Sequence, residues 1–143
     1  MTGSGELCWK LLYTKPHAEA WAELNLRKQG FRTLLPRVRR RSGFAPLFPR
    51  YIFVGHDADR PVAPLHSTFG VLYLVHCGDR PAHVPTEVIA ELQSRMDTHG
   101  VVQLDPAPKP DPLFAKAQRE RVRALEKLIA AGFRVKVVGV KVA

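Results

Sequence analysis

The stretch "PLFPRYIFV", residues 46–54, combines two prolines with alternating aromatic and aliphatic residues. Two prolines bracket an aromatic residue, and a proline is confined to strand starts, edges and bulges because it cannot donate a ladder hydrogen bond. Side chains alternate along a strand, so Tyr51 and Phe53 lie on one face and Ile52 and Val54 on the other. The stretch therefore predicts a strand with two apolar faces. One face is core, and the aromatic face is either core as well or a partner-binding surface.

Length and composition predict one globular domain with a short appendage. The chain has 143 residues, of which 45% are hydrophobic and 24% charged, which is ordinary for a globular protein. No apolar run approaches the ~18 residues that a membrane span needs, and the first residues lack the pattern of a signal peptide. We therefore expect a cytoplasmic protein without a membrane partner. Cys8 and Cys77 lack metal-ligand spacing and are expected to be reduced thiols.

The net charge of +9 is distributed unevenly along the chain. Residues 1–50 carry ten Lys/Arg against three Asp/Glu, residues 51–108 carry three against seven, and residues 109–143 carry nine against three. A basic first third beside an acidic middle suggests two different partner surfaces. Basic patches attract nucleic-acid phosphates through counterion release, but on charge alone a solvated surface that keeps the protein soluble is slightly favoured.

Strand and helix patterns are mixed over the first hundred residues. Aromatic and β-branched runs predict strands, and apolar spacings of three and four residues predict helices that end at Gly30 and Gly100. The first helix is expected to hold Pro16 in its first turn and Trp21 on its core side. The strands are predicted at residues 8–14, 31–38, 48–56 and 70–78, and the helices at 17–29 and 86–99. This mixture favours an α+β fold, with a mixed, mainly antiparallel sheet and helices on one face.

A proline-rich segment, "QLDPAPKPDP" at residues 103–112, separates this region from the rest of the chain. The predicted order is a first domain, a linker and a C-terminal tail, at residues 1–104, 105–112 and 113–143. Asp111 and Pro112 are good helix-start residues, so the tail is predicted as a helix over 113–131 followed by a strand over 133–142. The helix has an apolar stripe that must be buried somewhere, consisting of Val122, Leu125, Leu128 and Ile129.

No arrangement of residues in the chain indicates catalysis. The six histidines are scattered, and none has the i, i+4 spacing of a helical metal site. His76 and Cys77 are adjacent, so on a strand their side chains point to opposite faces and make a poor nucleophile pair. A glycine-rich phosphate loop is also missing. We expect a protein that is not an enzyme and that uses neither a metal nor another cofactor.

Two groups of polar side chains are candidates for contact with nucleic acid. The first combines the end of the first strand with the outer face of the next helix, as Lys15, Asn25, Lys28 and Gln29. Lys grips phosphate, and Asn and Gln can read base edges, although four such residues on a helix are more often only solvated. The second group is the basic run "RVRRR" at residues 37–41, expected in a loop, from which Arg39 and Arg40 are predicted DNA contacts. Such a run is also usually a solvated loop.

The order of these motifs resembles the N-terminal domain of the NusG family of transcription elongation factors. The stretches that carry the resemblance are "WKLLYTKPHAEAWAELNLRKQGF", "PLFPRYIFV" and "FGVLYLVHCGDRPAHVPTEVIAEL", within about residues 8–104. They contain a Trp-x-x-x-Tyr-Thr-x-Pro strand end, a Leu-Phe-Pro-x-Tyr-x-Phe strand and a Gly-x-x-Pro-Ala-x-Val-Pro segment. The sequence Leu-Leu-Tyr at residues 11–13 makes the chain more similar to the RfaH-type antiterminators than to housekeeping NusG.

The resemblance implies two partners in the elongation complex. An apolar surface would bind the clamp helices of the largest RNA polymerase subunit, through Tyr13, Phe48, Tyr51, Phe53 and Leu92. The non-template single-stranded DNA of the transcription bubble would contact Lys15, Asn25, Lys28 and Gln29. An arginine that is common in the family just before the Gly-Val is Phe69 here, which removes one DNA contact.

The tail departs from the resemblance. The family normally ends in a small barrel, the KOW domain, whose motifs are not recognisable here, and the roughly 30 residues after the linker are too few for it. We expect instead that the tail helix covers the Tyr51/Phe53 face and masks the polymerase site, as the helical tail of RfaH-type proteins does.

These features together favour a monomeric cytoplasmic transcription factor that suppresses pausing or termination. The alternative is a basic RNA-binding, ribosome-associated module that would use the run at 37–41 and the basic tail on structured RNA.

Overall fold

The strand predicted from "PLFPRYIFV" lies in the middle of an antiparallel sheet. The computed structural model of the protein describes residues 7–57, 59–104 and 111–133. These residues form two compact units: the first comprises residues up to 35 with residues 50–84, and the second comprises residues 36–49 with the residues after 84. In the described part of the chain, no helix has the length and apolar character needed to cross a membrane.

The order of the elements is that of an α+β fold. The strands are β1 (Leu7–Thr14), β2 (Arg32–Leu34), β3 (Arg37–Arg40), β4 (Gly43–Pro46), β5 (Tyr51–Asp57), β6 (Val71–Leu74), β7 (His76–Cys77), β8 (Arg80–Pro81) and β9 (His83–Val84). The helices are α1 (Glu19–Lys28), α2 (Ala63–His66), α3 (Thr86–Ser94) and α4 (Gln118–Ala130), with a 3-10 turn at Pro112–Phe114. The ladders between these strands are antiparallel, which confirms the predicted fold class.

The main sheet of the first unit has the strand order β2-β5-β1-β6, and β9 also pairs with β1. Leu12 at its centre lies opposite Ile52 of β5 and Leu74 of β6. These three side chains form one buried cluster with Ala22 and Leu26 of α1. The apolar spacing of α1 therefore packs one helix face against one sheet face. The opposite face of the sheet is aromatic and contains the candidate site.

Helix α1 begins later than the sequence predicts and ends as predicted. Pro16 precedes the helix, and His17 has a positive φ of 61° that interrupts the backbone before Glu19. The buried Glu19 carboxylate accepts a hydrogen bond from the backbone N–H of Arg50 at 2.7 Å, which ties the start of α1 to the start of β5. Gly30, at a φ of 92°, ends the helix because only glycine adopts that conformation without strain.

The basic run at residues 37–41, expected as a loop, is largely a strand of a β-hairpin in the second unit. The ladder between β3 and β4 runs from Arg37 opposite Pro46 to Arg40 opposite Gly43. Residues alternate along β3, so that Val38 is buried between exposed arginines. Arg41 and Ser42 form a turn of two residues between the strands and not a long loop, so the backbone that carries the arginines has a fixed position.

The predicted tail helix is present but shorter than 113–131. Asp111 begins the 3-10 turn, since its carboxylate accepts a hydrogen bond from the N–H of Leu113 at 3.1 Å. Extended backbone at Ala115 and Ala117 then separates this turn from α4. Residues 105–110 of the predicted linker and residues 134–142 of the predicted terminal strand lie outside the described residues.

The buried side of α4 contains an arginine where the sequence predicts a valine. The predicted stripe began at Val122, but Val122 is only half-buried. Arg121 is buried in its place, and it lies four, seven and eight positions before Leu125, Leu128 and Ile129. That spacing places all four side chains on one face of the helix.

Candidate functional site

Three tyrosines stand side by side on the aromatic face of the first unit's sheet. Tyr13 of β1 pairs in register with Tyr51 of β5 and with Tyr73 of β6. Its ring centroid lies 5.2 Å from that of Tyr51, in an edge-on arrangement, and 5.0 Å from that of Tyr73, in a stacked one. The Arg50 guanidinium lies over the Tyr13 ring at 4.4 Å. We call these three rings and Arg50 the tyrosine ladder.

Exposure increases along the ladder toward β6. Tyr51 is buried, Tyr13 is half-buried, and Tyr73 is 50% exposed. Phe53 is fully buried. The expectation that Tyr51 and Phe53 form an exposed patch is therefore wrong, because the side chains on both faces of β5 are buried from Tyr51 to His56. Tyr73, which the sequence prediction did not include, is the exposed member. Simple alternation along "VLYL" would have placed Tyr73 on the same face as the buried Val71, and an irregularity in the pairing of β1 with β6 separates the two.

The remaining predicted polymerase contacts belong to the second unit. Phe48 follows the hairpin and Leu92 lies on α3, and both side chains are buried. Their role in binding stays a prediction, as does the docking of the tail helix on the aromatic face.

The predicted DNA contacts Lys15, Asn25, Lys28 and Gln29 all lie at the surface of the first unit. The side-chain amide of Asn25 donates a hydrogen bond to the carbonyl of Trp21 at 2.9 Å. The Gln29 amide donates to the Asn25 carbonyl at 3.1 Å and to the Thr68 hydroxyl at 2.8 Å. These bonds hold both amides against the protein, whereas the two lysines are exposed. The lysines are therefore the better placed to meet a phosphate.

An exposed aromatic pair lies beside this group. Trp21 of α1 is 54% exposed and Phe69 is 60% exposed, and their ring centroids are 6.0 Å apart at an interplanar angle of 81°. The Lys15 ammonium lies 5.8 Å from the Phe69 centroid. Trp21 was expected in the core. Instead Ala22 faces the core, and the Trp21 side chain points about 100° away from that of Ala22 around the helix axis. We call Trp21, Phe69 and Lys15 the aromatic platform.

Gly70 fixes the position of the aromatic platform. Its backbone carbonyl accepts a hydrogen bond from the N–H of Lys15 at 2.9 Å. At its φ of 94°, a Cβ would lie 3.2 Å from the Ala22 Cβ, so only glycine permits this approach of the loop to α1. No local sequence pattern indicates this contact, because it joins residues far apart in the chain.

The predicted DNA contacts Arg39 and Arg40 lie in the second unit, at adjacent exposed positions of β3. The Arg39 guanidinium lies 5.4 Å from the ring centroid of Phe44, and Arg40 donates a 2.6 Å hydrogen bond to the side-chain oxygen of Gln118 on α4.

Among the described residues, no group of three or more His, Cys, Asp and Glu side chains could hold a metal ion. Cys8 and Cys77 are free thiols.

The comparison with protein families matches the part of the chain that contains these surfaces. The family model described as NusG, transcription termination factor nusG, matches residues 7–93, which is more than half of the chain. The match begins at the first residue of β1 and includes all the described strands, the tyrosine ladder and the aromatic platform. It ends within α3 and does not extend to α4.

Proposed function

Because the chain belongs to the NusG family of transcription factors, we propose that it binds RNA polymerase during elongation and suppresses pausing or termination in the manner of the RfaH-type antiterminators. The proposal has two parts. One surface binds the clamp helices of the largest polymerase subunit, and another contacts the non-template DNA strand.

The observation that carries the polymerase contact is the tyrosine ladder at the edge of the sheet. Tyr73 is half exposed on the outermost strand, and Tyr13 and Arg50 lie next to it. Tyrosine and arginine dominate the energetics of protein–protein interfaces, because each offers a large contact area together with a polar group. We place the clamp helices against Tyr73 and Tyr13. Contact through Phe48, Phe53 or Leu92 would require the protein to open first, because these side chains are buried.

The proposed mechanism is a shift of a conformational equilibrium. A factor that holds the polymerase clamp closed around nucleic acid binds the elongating state more tightly than the paused state, and so raises its population. The protein makes and breaks no covalent bond in this mechanism.

The aromatic platform supports the DNA contact. Unpaired bases stack on aromatic rings, and lysines beside the rings hold the phosphates. Trp21 and Phe69 expose two such rings next to Lys15. We propose that they stack on a base of the non-template strand and that Lys15 and Lys28 contact its phosphates. Phe69 would then replace an ionic contact of the family by a stacking contact.

The test of the polymerase contact is affinity for a purified elongation complex, measured with wild type, Tyr73→Ala and Leu72→Ala. Leu72 is the matched control because it is an apolar side chain of the same strand, 45% exposed and outside the tyrosine ladder, and leucine is under-represented among interface hot spots. We expect Tyr73→Ala to weaken binding by about tenfold or more, as for an interface hot spot, and Leu72→Ala to change it less than about twofold. Equal effects of the two variants would contradict the placement. Capture of ribosomes and not of polymerase would support the RNA-binding alternative.

A further inference from the structure

In the second unit, the hairpin and the first turns of α4 border a groove of about 800 Å³. Its lining is strongly basic. Six cationic side chains border it, namely Arg39, Arg40, Lys116, Arg119, Arg121 and Arg123. The carboxylate that borders it is that of Glu126. We call this the basic groove.

The groove is held together by two contacts between distant parts of the chain. Arg40 on the hairpin donates its 2.6 Å hydrogen bond to Gln118 at the start of α4. Arg121 donates to the carbonyl of Leu47 at 3.0 Å, and Leu47 directly follows the hairpin. The two walls that carry the arginines therefore have fixed positions relative to each other. Such preorganisation lowers the entropic cost of binding a ligand.

Arg121 places a buried positive charge at the base of the groove. It is 1% exposed, and its hydrogen bonds go to backbone carbonyls of Leu47, Ala115 and Lys116. These carbonyl oxygens carry no net charge, so they do not neutralise the positive charge of the Arg121 guanidinium. Burial lowers the pKa of Arg121, and the nearby positive charge of Arg40 lowers it further. Like charges held this close repel each other, and an anion in the groove would relieve that repulsion.

An exposed aromatic ring lies on the same hairpin. Phe44 is 49% exposed, with the guanidinium groups of Arg37 and Arg39 at 5.7 and 5.4 Å from its centroid. Phe44 does not line the groove, but Arg39 lies both against its ring and in the lining of the groove. Cations beside a bare aromatic ring are the combination that binds single strands without reading sequence, since phosphates contact the cations and a base stacks on the ring.

We propose that the basic groove binds the backbone of a single strand of nucleic acid, with one base stacked on Phe44. The strand enters along the hairpin and its phosphates lie between Arg40 on one wall and Arg119 and Arg123 on the other. This extends the proposed contact of Arg39 and Arg40 with DNA to a second wall, on α4. It does not require the polymerase contact, and its test uses the protein without polymerase.

The test measures binding of fluorescent single strands of thymidylate or uridylate, about twelve nucleotides long, to the full chain by anisotropy over a range of salt. The variants are the double substitution Arg119→Ala/Arg123→Ala, the single substitution Phe44→Leu, and Lys127→Ala. Lys127 is the matched control because it is an exposed cation of α4 that does not line the groove. Thermal unfolding of each variant checks that the fold is intact.

We expect the double variant to bind at least tenfold more weakly at low salt. The slope of log affinity against log salt should flatten by about 0.7 for each phosphate contact that is lost. Phe44→Leu should weaken binding about fivefold with an unchanged slope, because stacking is lost and no charge is. Lys127→Ala should leave binding within about twofold of wild type. Tighter binding of the thymidylate strand would assign DNA to the groove, and tighter binding of the uridylate strand would assign RNA.

Three results would overturn the proposal. Lys127→Ala could lower log affinity by half as much as the double arginine variant does, which would mean that the net positive charge of the protein attracts the strand and that the groove does not. Duplex DNA could bind as tightly as the single strands. Inorganic polyphosphate could compete as well as the strands while Phe44→Leu binds like wild type, which would make the groove a site for free phosphate anions.

Discussion

The Arg121 guanidinium donates a 3.0 Å hydrogen bond from Nε to the backbone carbonyl of Leu47, 74 residues earlier in the chain. Its Nη1 donates to the carbonyls of Ala115 and Lys116 at 2.7 and 2.8 Å. One buried side chain thus joins α4, the segment before α4 and the segment after the hairpin. Most buried arginines have a carboxylate partner, whereas this one has carbonyl oxygens.

Arg121→Met should lower the free energy of unfolding by about 2–4 kcal/mol. The substitution keeps a long side chain but leaves three carbonyls without their donor, and an unsatisfied buried group costs about 1–3 kcal/mol. Removing the buried charge offsets part of this loss. Urea unfolding measures the effect. Arg119→Met is the control, since Arg119 is exposed on the same helix and should change stability by less than about 0.5 kcal/mol. Equal stability of the two variants would contradict the structural role of Arg121.

Gly70→Ala should be more destabilising than Gly78→Ala. Both glycines have positive φ, 94° and 68°, so both variants pay the same kind of backbone strain. At Gly70 the new Cβ would also approach the Ala22 Cβ to 3.2 Å, whereas nothing lies within 4 Å of a Cβ at Gly78. We expect the additional loss at Gly70 to be about 1–3 kcal/mol, measured by thermal unfolding. A smaller loss at Gly70 than at Gly78 would show that the loop can move away from α1.

Phe53→Ala should lower the free energy of unfolding by about 3–5 kcal/mol, the range for a buried aromatic ring. Phe53 is fully buried, while Tyr73 on the same sheet is half exposed, so Tyr73→Ala should cost less than about 1.5 kcal/mol. Chemical denaturation of both variants is the measurement. If Phe53→Ala were as stable as wild type, the original expectation of an exposed patch would be restored.

Phe69→Ala should weaken binding to an elongation complex with an exposed non-template strand by about fivefold or more, since stacking of a base on one ring contributes about 1–3 kcal/mol. The exposed ring packs against Trp21 and not in the core, so the melting temperature should change little. Leu24→Ala removes another exposed apolar side chain of the same unit and should leave the affinity unchanged. Loss of affinity in both variants would point to general surface hydrophobicity and not to stacking.

The stability of the protein should fall in acid partly through Asp97. Its carboxylate accepts hydrogen bonds from the N–H groups of Val101 and His99 at 3.0 and 2.8 Å, which lower its pKa from the ordinary 3.8. A carboxyl group with a lowered pKa in the folded state stabilises the fold above its unfolded pKa, and the contribution is lost as pH falls through the folded value.

The measurement for Asp97 is the free energy of unfolding from pH 6 down to pH 2. Asp97→Asn should reduce the steepness of the decline below about pH 4, because an amide does not titrate there. Asp79→Asn, an exposed carboxylate between β7 and β8, is the charge-matched control. An unchanged decline in the Asp97 variant would show that the turn holds without the charged carboxylate.

Sequence patterns predicted the parts of the fold that depend on local periodicity. The alternation of Tyr51 and Phe53 with Ile52 and Val54 identified the central strand. Gly30 identified the end of α1 because its positive φ is a local property. The error at Trp21 has a simple origin, since neighbouring helix positions differ by only about 100° and either could face the core.

The candidate surfaces were less predictable because they depend on contacts between distant residues. Nothing in the local sequence of Phe69 shows that it lies against Trp21, or that Tyr73 stacks on Tyr13. The burial of Arg121 could not be predicted from the sequence for a related reason. A charged residue is normally assigned to the exposed side of a helix. Here three carbonyls make the buried position favourable, and that of Leu47 comes from a distant part of the chain.

The division of the second unit into two separated stretches of chain has a consequence for biosynthesis. Every residue of the first unit has been added once residue 84 is in place, whereas residues 36–49 still lack most of their own unit. At about 5–20 residues per second, the ribosome needs several further seconds to reach the end of α4. During that interval the first unit can fold, but the hairpin still lacks its contact with Arg121. Nascent chains should therefore become protease-resistant in two steps, first in β1 and β5 and later in the hairpin.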